Sequence, residues 1–289
     1  MFTPLENTPF LKTEIEKKRK GLFFGFNFFP IFLMGFVSRL NPVFLKFGSI
    51  EIRYYGLIWL FCFFITLKLL SFLVERKKIG INKEGVSDFV FCVILGGILG
   101  ARLFYVLVYN FNFYLTHPAE MLAIWHGGLS VHGGFLGGLL GGLIYCHRKK
   151  IDFFALADLF VIPLSICLCL GRIGNFINGE LYGRISSLPW AVKFPGVEGF
   201  RHPSQLYESF KNLIIFAILW NLNKKPLRKG TLFFVFITFY SLFRFLVEFF
   251  RQPDSQIGFL GGNLTLGQLL CIPFLLVGIG GLRYLYSKH

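Results

Sequence analysis

The chain has 289 residues, of which 54% are hydrophobic and only 16% charged, with 39 phenylalanines and a mean hydropathy of +0.62. A soluble domain carries about a quarter charged residues, and a water-facing surface cannot hide this much apolar side chain, so one large soluble core is excluded. The formal net charge of +15 is read as topological and not as a nucleic-acid signal, because the lysines and arginines fall in short runs between apolar segments.

Residues 1–20 are polar and end in the basic run Lys17, Lys18, Arg19, Lys20. An apolar stretch, 21–37, follows and is broken by Pro30. A positive flank before a hydrophobic segment has the form of a signal anchor. The competing reading is an upstream extension from a wrongly assigned start, with Met34 as an internal alternative. Beyond it, apolar segments long enough to cross about 30 Å of hydrocarbon are expected near 54–74, 88–109, 129–146, 153–170, 206–222, 231–250 and 266–286. Basic runs follow the first, third, fifth and seventh of them. That pattern puts the C-terminus in the cytoplasm and three long connections outside, at 110–128, 171–205 and 251–267. The expected fold class is all-α: a polytopic membrane protein with seven core transmembrane helices and a candidate N-terminal anchor helix. The organisation is a 1–40 extension followed by one membrane domain, 41–289.

Polar residues that topology does not explain gather toward the outer connections. The run GRIGNFINGELYGR at 171–184 places Arg172 at the edge of hydrocarbon beside Asn175, Asn178 and Glu180. Ionisable groups at membrane depth are costly and usually have a task, although an arginine that ends a span can also snorkel to head groups. In the sixth span, Tyr240, Arg244, Glu248 and Arg251 fall within about 80° of one another on a helical wheel, forming one polar stripe. Arg244 and Glu248 stand at pairing distance, i and i+4, which fits either a structural pair or a cavity lining. The run WHGGLSVHGG at 125–134 precedes Gly137, Gly138, Gly141 and Gly142. The small-xxx-small spacing of these glycines reads as close helix packing. His132 opens that span and is either a structural histidine or a proton acceptor near neutral pH. Arg102 and Asp158 lie inside spans and are expected to be buried and paired. Six cysteines lie in or beside apolar segments without metal-ligand spacing, so neither a metal site nor a disulfide framework is expected. Tyr55, His132, Arg172, Glu180, Arg244 and Arg251 would all converge near the outer leaflet. Two arginines facing one cavity suit a lipid phosphate, because guanidinium forks bind phosphate oxygens bidentately.

These motifs resemble the prolipoprotein diacylglyceryl transferase family. The run at 171–184 looks like that family's signature. HGG at 132–134, RHPSQLYE at 201–208, Arg244 through EFFRQPD at 248–254, and YYGL at 54–57 match in family order. The resemblance covers about residue 41 to the end, and the 1–40 extension departs from it. It implies an enzyme of the bacterial cytoplasmic (inner) membrane that needs no cofactor. The substrates it implies are phosphatidylglycerol, as diacylglyceryl donor, and the lipobox cysteine thiol of a preprolipoprotein; the product is a thioether, and glycerol phosphate leaves. By the same resemblance, Arg172 and Arg244 would hold the donor phosphate and its developing charge; His132 is the candidate proton acceptor, with a water or a substrate phosphate oxygen as the alternatives. Asn175, Glu180 and Gly183 would shape the head-group site, with Tyr55, Tyr240 and Glu248 orienting the arginines or lining the cavity. A lipid or solute transporter is the competing class, but its polar groups would continue toward the cytoplasmic side. A metal-dependent membrane transferase would need an aspartate cluster that the sequence lacks.

Overall fold

The computed structural model describes residues 36–38, 40–48, 50–123, 127–253, 259–260 and 264–287. The expected anchor lies outside these residues except for its last two, Phe36–Val37. They form a short strand, β1, that pairs in parallel with β4 (Val192–Lys193). Trp125 and His126 also lie outside. The fold is helical, with eight α-helices among the described residues: α1 (Tyr54–Lys77), α2 (Lys83–Phe104), α3 (Phe111–Thr116), α4 (Val131–Lys149), α5 (Phe153–Asn178), α6 (Ser204–Leu222), α7 (Thr231–Glu248) and α8 (Leu266–Ser287). The helix of α2 continues through a π-helical turn at Tyr105–Tyr109. Two further strand pairs are antiparallel: β2 (Val43–Phe47) with β3 (Ile50–Arg53), and β5 (Phe259–Leu260) with β6 (Leu264–Thr265).

Among the described residues, five helices are long and apolar enough to cross a membrane: α1, α2 with its π-turn, α5, α7 and α8. The other two long helices are diluted for identifiable reasons. Six glycines and a basic end lower the hydropathy of α4, and a polar first half lowers that of α6. Large apolar side chains such as Phe61, Phe64, Phe91, Leu99, Phe210 and Leu276 point outward. An outward apolar face on a helix bundle is the surface a bilayer wets. This is a multi-pass membrane protein.

The interior is built around α5, which packs against α1, α6 and α7. Leu70, Leu73, Phe89, Leu156, Ile162, Ile215 and Leu219 meet there, almost fully buried. Helices α2 and α4 touch backbone to backbone, as the glycine spacing predicts. A Cβ on Gly137 would sit 2.8 Å from the Cα of Gly100 and would also strike the carbonyl of Gly96. Asp158 is buried, and among the described residues no cation pairs with it. Its two oxygens accept from the backbone N–H groups of Gly230 and Phe233, each at 2.7 Å. It thus caps α7 from a neighbouring helix, satisfying donors that a helix N-terminus leaves open. Arg102 is handled the same way with opposite sign. Its guanidinium donates to the carbonyls of Glu120 (2.6 Å), Met121 (2.9 Å), Ala123 (3.2 Å), Gly127 (2.6 Å) and Gly128 (3.0 Å), pinning the connection after α2.

The basic ends of the helices collect at one end of the bundle. There Lys77 donates to the Asn223 carbonyl at 2.7 Å and Lys229 pairs with Asp152 at 2.9 Å. One boundary departs from expectation. The fourth span does not stop near residue 170; α5 runs on to Asn178 and ends where Gly179 adopts φ 69°. The reason is contact with α1. Gly171 faces the Trp59 ring, and Gly174 faces Tyr55, so the glycines accommodate a neighbouring helix and do not break their own.

Candidate active site

Because α5 continues, Arg172 and Asn175 lie one turn apart on a helix face, not in a loop. At the same end of the bundle α6 begins at Ser204, placing Glu208 and Lys211 on one face at i and i+3. Helix α7 brings Tyr240, Arg244 and Glu248 along one stripe. The three faces meet at Glu208, which is buried. One of its oxygens, Oε1, accepts from Arg244 in a close ion pair. Its other oxygen, Oε2, has Lys211 Nζ at 3.4 Å and Arg172 Nε at 3.6 Å. Arg244 also pairs with Glu248 at 2.7 Å, as the i,i+4 spacing predicts. Glu248 is fixed in turn by the Thr265 hydroxyl at 3.0 Å, and it lies against Gly267 at the start of α8.

The two arginines therefore face each other across one carboxylate. Their side chains keep 21% and 15% exposure, respectively, so both remain within reach of a ligand. Arg251 follows directly after α7 with Arg244, Arg172, Glu248 and Glu208 as its charged neighbours; burial, then the Arg244 charge, pushes it below the ordinary arginine range. Lys211 is buried, accepts no role from the sequence motifs, and is held by Asn212 Oδ1 at 3.0 Å and by the Tyr240 ring, 3.9 Å from its centroid. It is also the one charged residue lining an apolar cleft of about 420 Å³ between α6 and α7, beside Leu206, Phe210, Phe243 and Leu246.

A second chain of contacts leads outward. Arg172 donates to Asn175 Oδ1 at 3.4 Å, and Asn175 donates to Glu180 Oε1 at 2.8 Å. Asn178 donates to the same Glu180 oxygen at 3.2 Å, while the Glu180 carbonyl accepts from Gln205 at 2.6 Å. Gly183 has a backbone role. Its N–H donates to the His202 carbonyl at 2.8 Å, it bridges to Arg251, and a Cβ would lie 2.6 Å from that of His202. Only glycine fits where this segment approaches His202 and Arg251 so closely. Nearby, His202 Nδ1 lies 3.2 Å from the Tyr207 hydroxyl, which accepts from Trp190 at 2.8 Å. Burial, then the Arg184 charge, lowers the His202 pKa below the usual histidine value.

Of the residues singled out in the sequence, Arg172, Asn175, Glu180, Tyr240, Arg244 and Glu248 are thus joined in one network, with Gly183 shaping its edge. Tyr55 stands one helix away, packed on Gly174 two residues beyond Arg172. His132 lies in the first turn of α4, whose N-cap is Ser130; its side chain is outside what is described. Tyr240 touches that helix through Phe135, with ring centroids 6.2 Å apart. Glu208 and Lys211 were not anticipated. The available signal was an acid and a base three residues apart at the start of an apolar segment. Among the described residues no three His, Cys, Asp or Glu side chains cluster as a metal site.

The family profile described as prolipoprotein diacylglyceryl transferase matches residues 42–284. The chain is 45% identical over 243 residues to a Geobacter sulfurreducens protein named phosphatidylglycerol–prolipoprotein diacylglyceryl transferase, covering 83% of this chain and 94% of that one. Proteins of the same name from Desulfotalea psychrophila and Vibrio vulnificus are 46% identical over 248 residues and 41% over 253. The alignments cover 83% and 86% of this chain, and 91% and 93% of theirs.

Proposed function

The chain belongs to the prolipoprotein diacylglyceryl transferase family, and from that premise we infer that it moves the diacylglyceryl group of phosphatidylglycerol onto a prolipoprotein. The acceptor is the lipobox cysteine thiol. Its sulfur attacks the terminal glyceryl carbon, a C–S bond forms, the C–O bond to phosphate breaks, and glycerol phosphate leaves. A free thiol has a pKa near 8.5, so its proton must be taken up as the bond forms, and His132 at the mouth of α4 is our candidate acceptor. The leaving phosphate gains negative charge, which preorganised cations stabilise.

The observation that carries this reading is the convergence of Arg172 and Arg244 on Glu208 from two different helices. Glu208 holds the two forks at a fixed spacing, so a phosphate meets them without reorganisation. Glu248, Thr265 and Tyr240 set the rotamer of Arg244, and Asn175 links Arg172 to Glu180 at the rim. We further propose that all seven long helices span the bacterial cytoplasmic membrane. The basic end then faces the cytoplasm with the C-terminus, and the arginine cluster lies in the outer half, where lipid enters laterally. The polar network stays at one end of the bundle, which favours an enzyme over a transport pathway.

The test uses purified full-length protein, phosphatidylglycerol vesicles and a lipobox peptide. Mass spectrometry should find the diacylglyceryl-cysteine adduct together with released glycerol phosphate. Arg172→Ala and Arg244→Ala proteins should insert normally yet yield no adduct. Wild-type turnover by either variant would rule the scheme out.

A further inference from the structure

Lys211 has no part in the reaction as drawn above, yet its placement is costly. A lysine within an apolar segment is disfavoured against the leucine that would fill the same space, and Glu208 already has two guanidinium partners. Its effect is on the charge count and on one oxygen. Arg172, Lys211 and Arg244 stand around the buried carboxylates Glu208 and Glu248, three positive charges against two negative. A further acid at the rim, Glu180, is exposed and held by the Asn175 and Asn178 amides. Glu208 Oε2 is buried and has no hydrogen-bond partner among the described residues. Lys211 and Arg172 stand just beyond bonding range on either side of it, at 3.4 and 3.6 Å. Lys211 is kept there by Asn212 and by the Tyr240 ring. The other titratable groups facing this cluster among the described residues are Tyr240, from α7, and Cys271, from α8.

The donor's phosphodiester carries one negative charge. The departing glycerol phosphate is a monoester and approaches two above its second pKa, about 6. A site with an excess cation therefore complements the charge that develops as the C–O bond breaks, more than a charge-balanced site would. Interactions that strengthen only toward the transition state raise turnover rather than ground-state binding. We propose that Lys211 is a positioning residue that, by sharing Glu208 Oε2, keeps Arg172 from being captured by that carboxylate and gives the site its selectivity for a dianionic phosphate monoester over a monoanionic diester. This inference rests on the reaction proposed above. Without Lys211, Oε2 passes to Arg172, the excess is lost, and the site loses its preference for the leaving group.

The experiment compares full-length wild type, Lys211→Met, Lys211→Gln and Lys211→Arg in detergent micelles. Inhibition of transfer is titrated with sn-glycerol phosphate and with its methyl diester from pH 5 to 8. Wild type should favour the monoester, increasingly so as pH rises through about 6. Lys211→Met and Lys211→Gln should lose about tenfold of that preference and of kcat, the order expected of one charge acting over a few ångströms in a partly screened site. KM for phosphatidylglycerol should change little, and Lys211→Arg should recover the preference. Neutral variants that keep both the preference and kcat overturn the inference while leaving the reaction intact. So does an equal loss of monoester and diester affinity, which is the signature of a purely structural lysine. Wild-type protein that makes no adduct under the same conditions refutes the reaction itself.

Discussion

Replacing Glu208 with glutamine removes one charge and no volume, and it tests whether this carboxylate organises the site. Three cations approach it now: Arg244 on Oε1, and Lys211 and Arg172 near Oε2. Removing one partner of a buried ion pair costs about 3–5 kcal/mol, because the other charge is left without compensation. Arg244 keeps Glu248 at 2.7 Å, so the loss falls on Lys211, whose remaining contacts are Asn212 and the Tyr240 ring. At 1.36 kcal/mol per tenfold, that range shifts the unfolding equilibrium by roughly 10²- to 10⁴-fold. The cysteines supply the assay, since Cys62, Cys146, Cys167, Cys169 and Cys271 are free and buried. A maleimide dye in a thermal ramp reads their exposure, and the Glu208→Gln midpoint should fall clearly below wild type. Turnover should drop by roughly 10²-fold, the cost of misplacing a reacting group by about an ångström. A variant with unchanged midpoint and unchanged turnover would show that the arginines are held by something other than Glu208.

Arg102→Met keeps the stem but leaves five carbonyls without their charged donor, each bond being worth about 1.5–3 kcal/mol. Limited proteolysis should then cut between residues 110 and 128 faster than in wild type, and an unchanged cutting rate would mean the connection is held elsewhere. Gly137→Leu forces α2 and α4 apart and should cost about 1–3 kcal/mol or more, whereas Gly97→Ala, whose new Cβ meets its nearest atom at 3.5 Å, should be almost silent in the same dye assay; equal effects would remove the backbone-contact argument. His202 has a folded-state pKa lowered by burial and by Arg184. Its unfolded form therefore binds protons first, so its contribution is present above about pH 6.5 and is lost as pH falls through the lower folded value. His202→Gln should flatten the acid side of the stability profile, and an identical slope would assign that dependence to other groups.

Charged residues in apolar runs were legible because the membrane makes them expensive, and Arg172, Arg244 and Glu248 stood out on that ground alone. Glu208 and Lys211 are as anomalous in composition, yet the partners that explain them come from α5 and α7. No spacing within α6 reveals those partners. The same limit hid the solutions for Arg102 and Asp158. Both read as buried charges awaiting a partner, and both are completed by backbone groups, which carry no sequence signature. The end of the fourth span was misplaced because glycine at 171 and 174 normally signals a break. Here the glycines admit Trp59 and Tyr55 of a neighbouring helix, a tertiary reason that local propensity cannot anticipate. The glycines of α4 were read correctly because their four-residue spacing already states that a second backbone lies close.

The buried charges of this bundle divide by how they are satisfied, and the division separates scaffold from site. Asp158 takes two backbone N–H groups at 2.7 Å, and Arg102 gives to five carbonyls. Fixed dipoles complete both, nothing remains to offer a ligand, and each locks one helix end or connection in place. At the other end, side-chain ions are satisfied by one another, cations outnumber buried carboxylates, and two carboxylate oxygens, Glu208 Oε2 and Glu248 Oε2, have no hydrogen bond among the described residues. Such a half-finished network is unfavourable in a resting fold, because an unsatisfied buried polar group costs about 1–3 kcal/mol. It becomes favourable once an anion enters and takes up the surplus positive charge. A bilayer strengthens the contrast, since water cannot supply the missing partner as freely as it would at a soluble surface. Under the proposed function, the place where the protein tolerates incomplete pairing is the place where a phosphate-bearing substrate would take up the surplus charge.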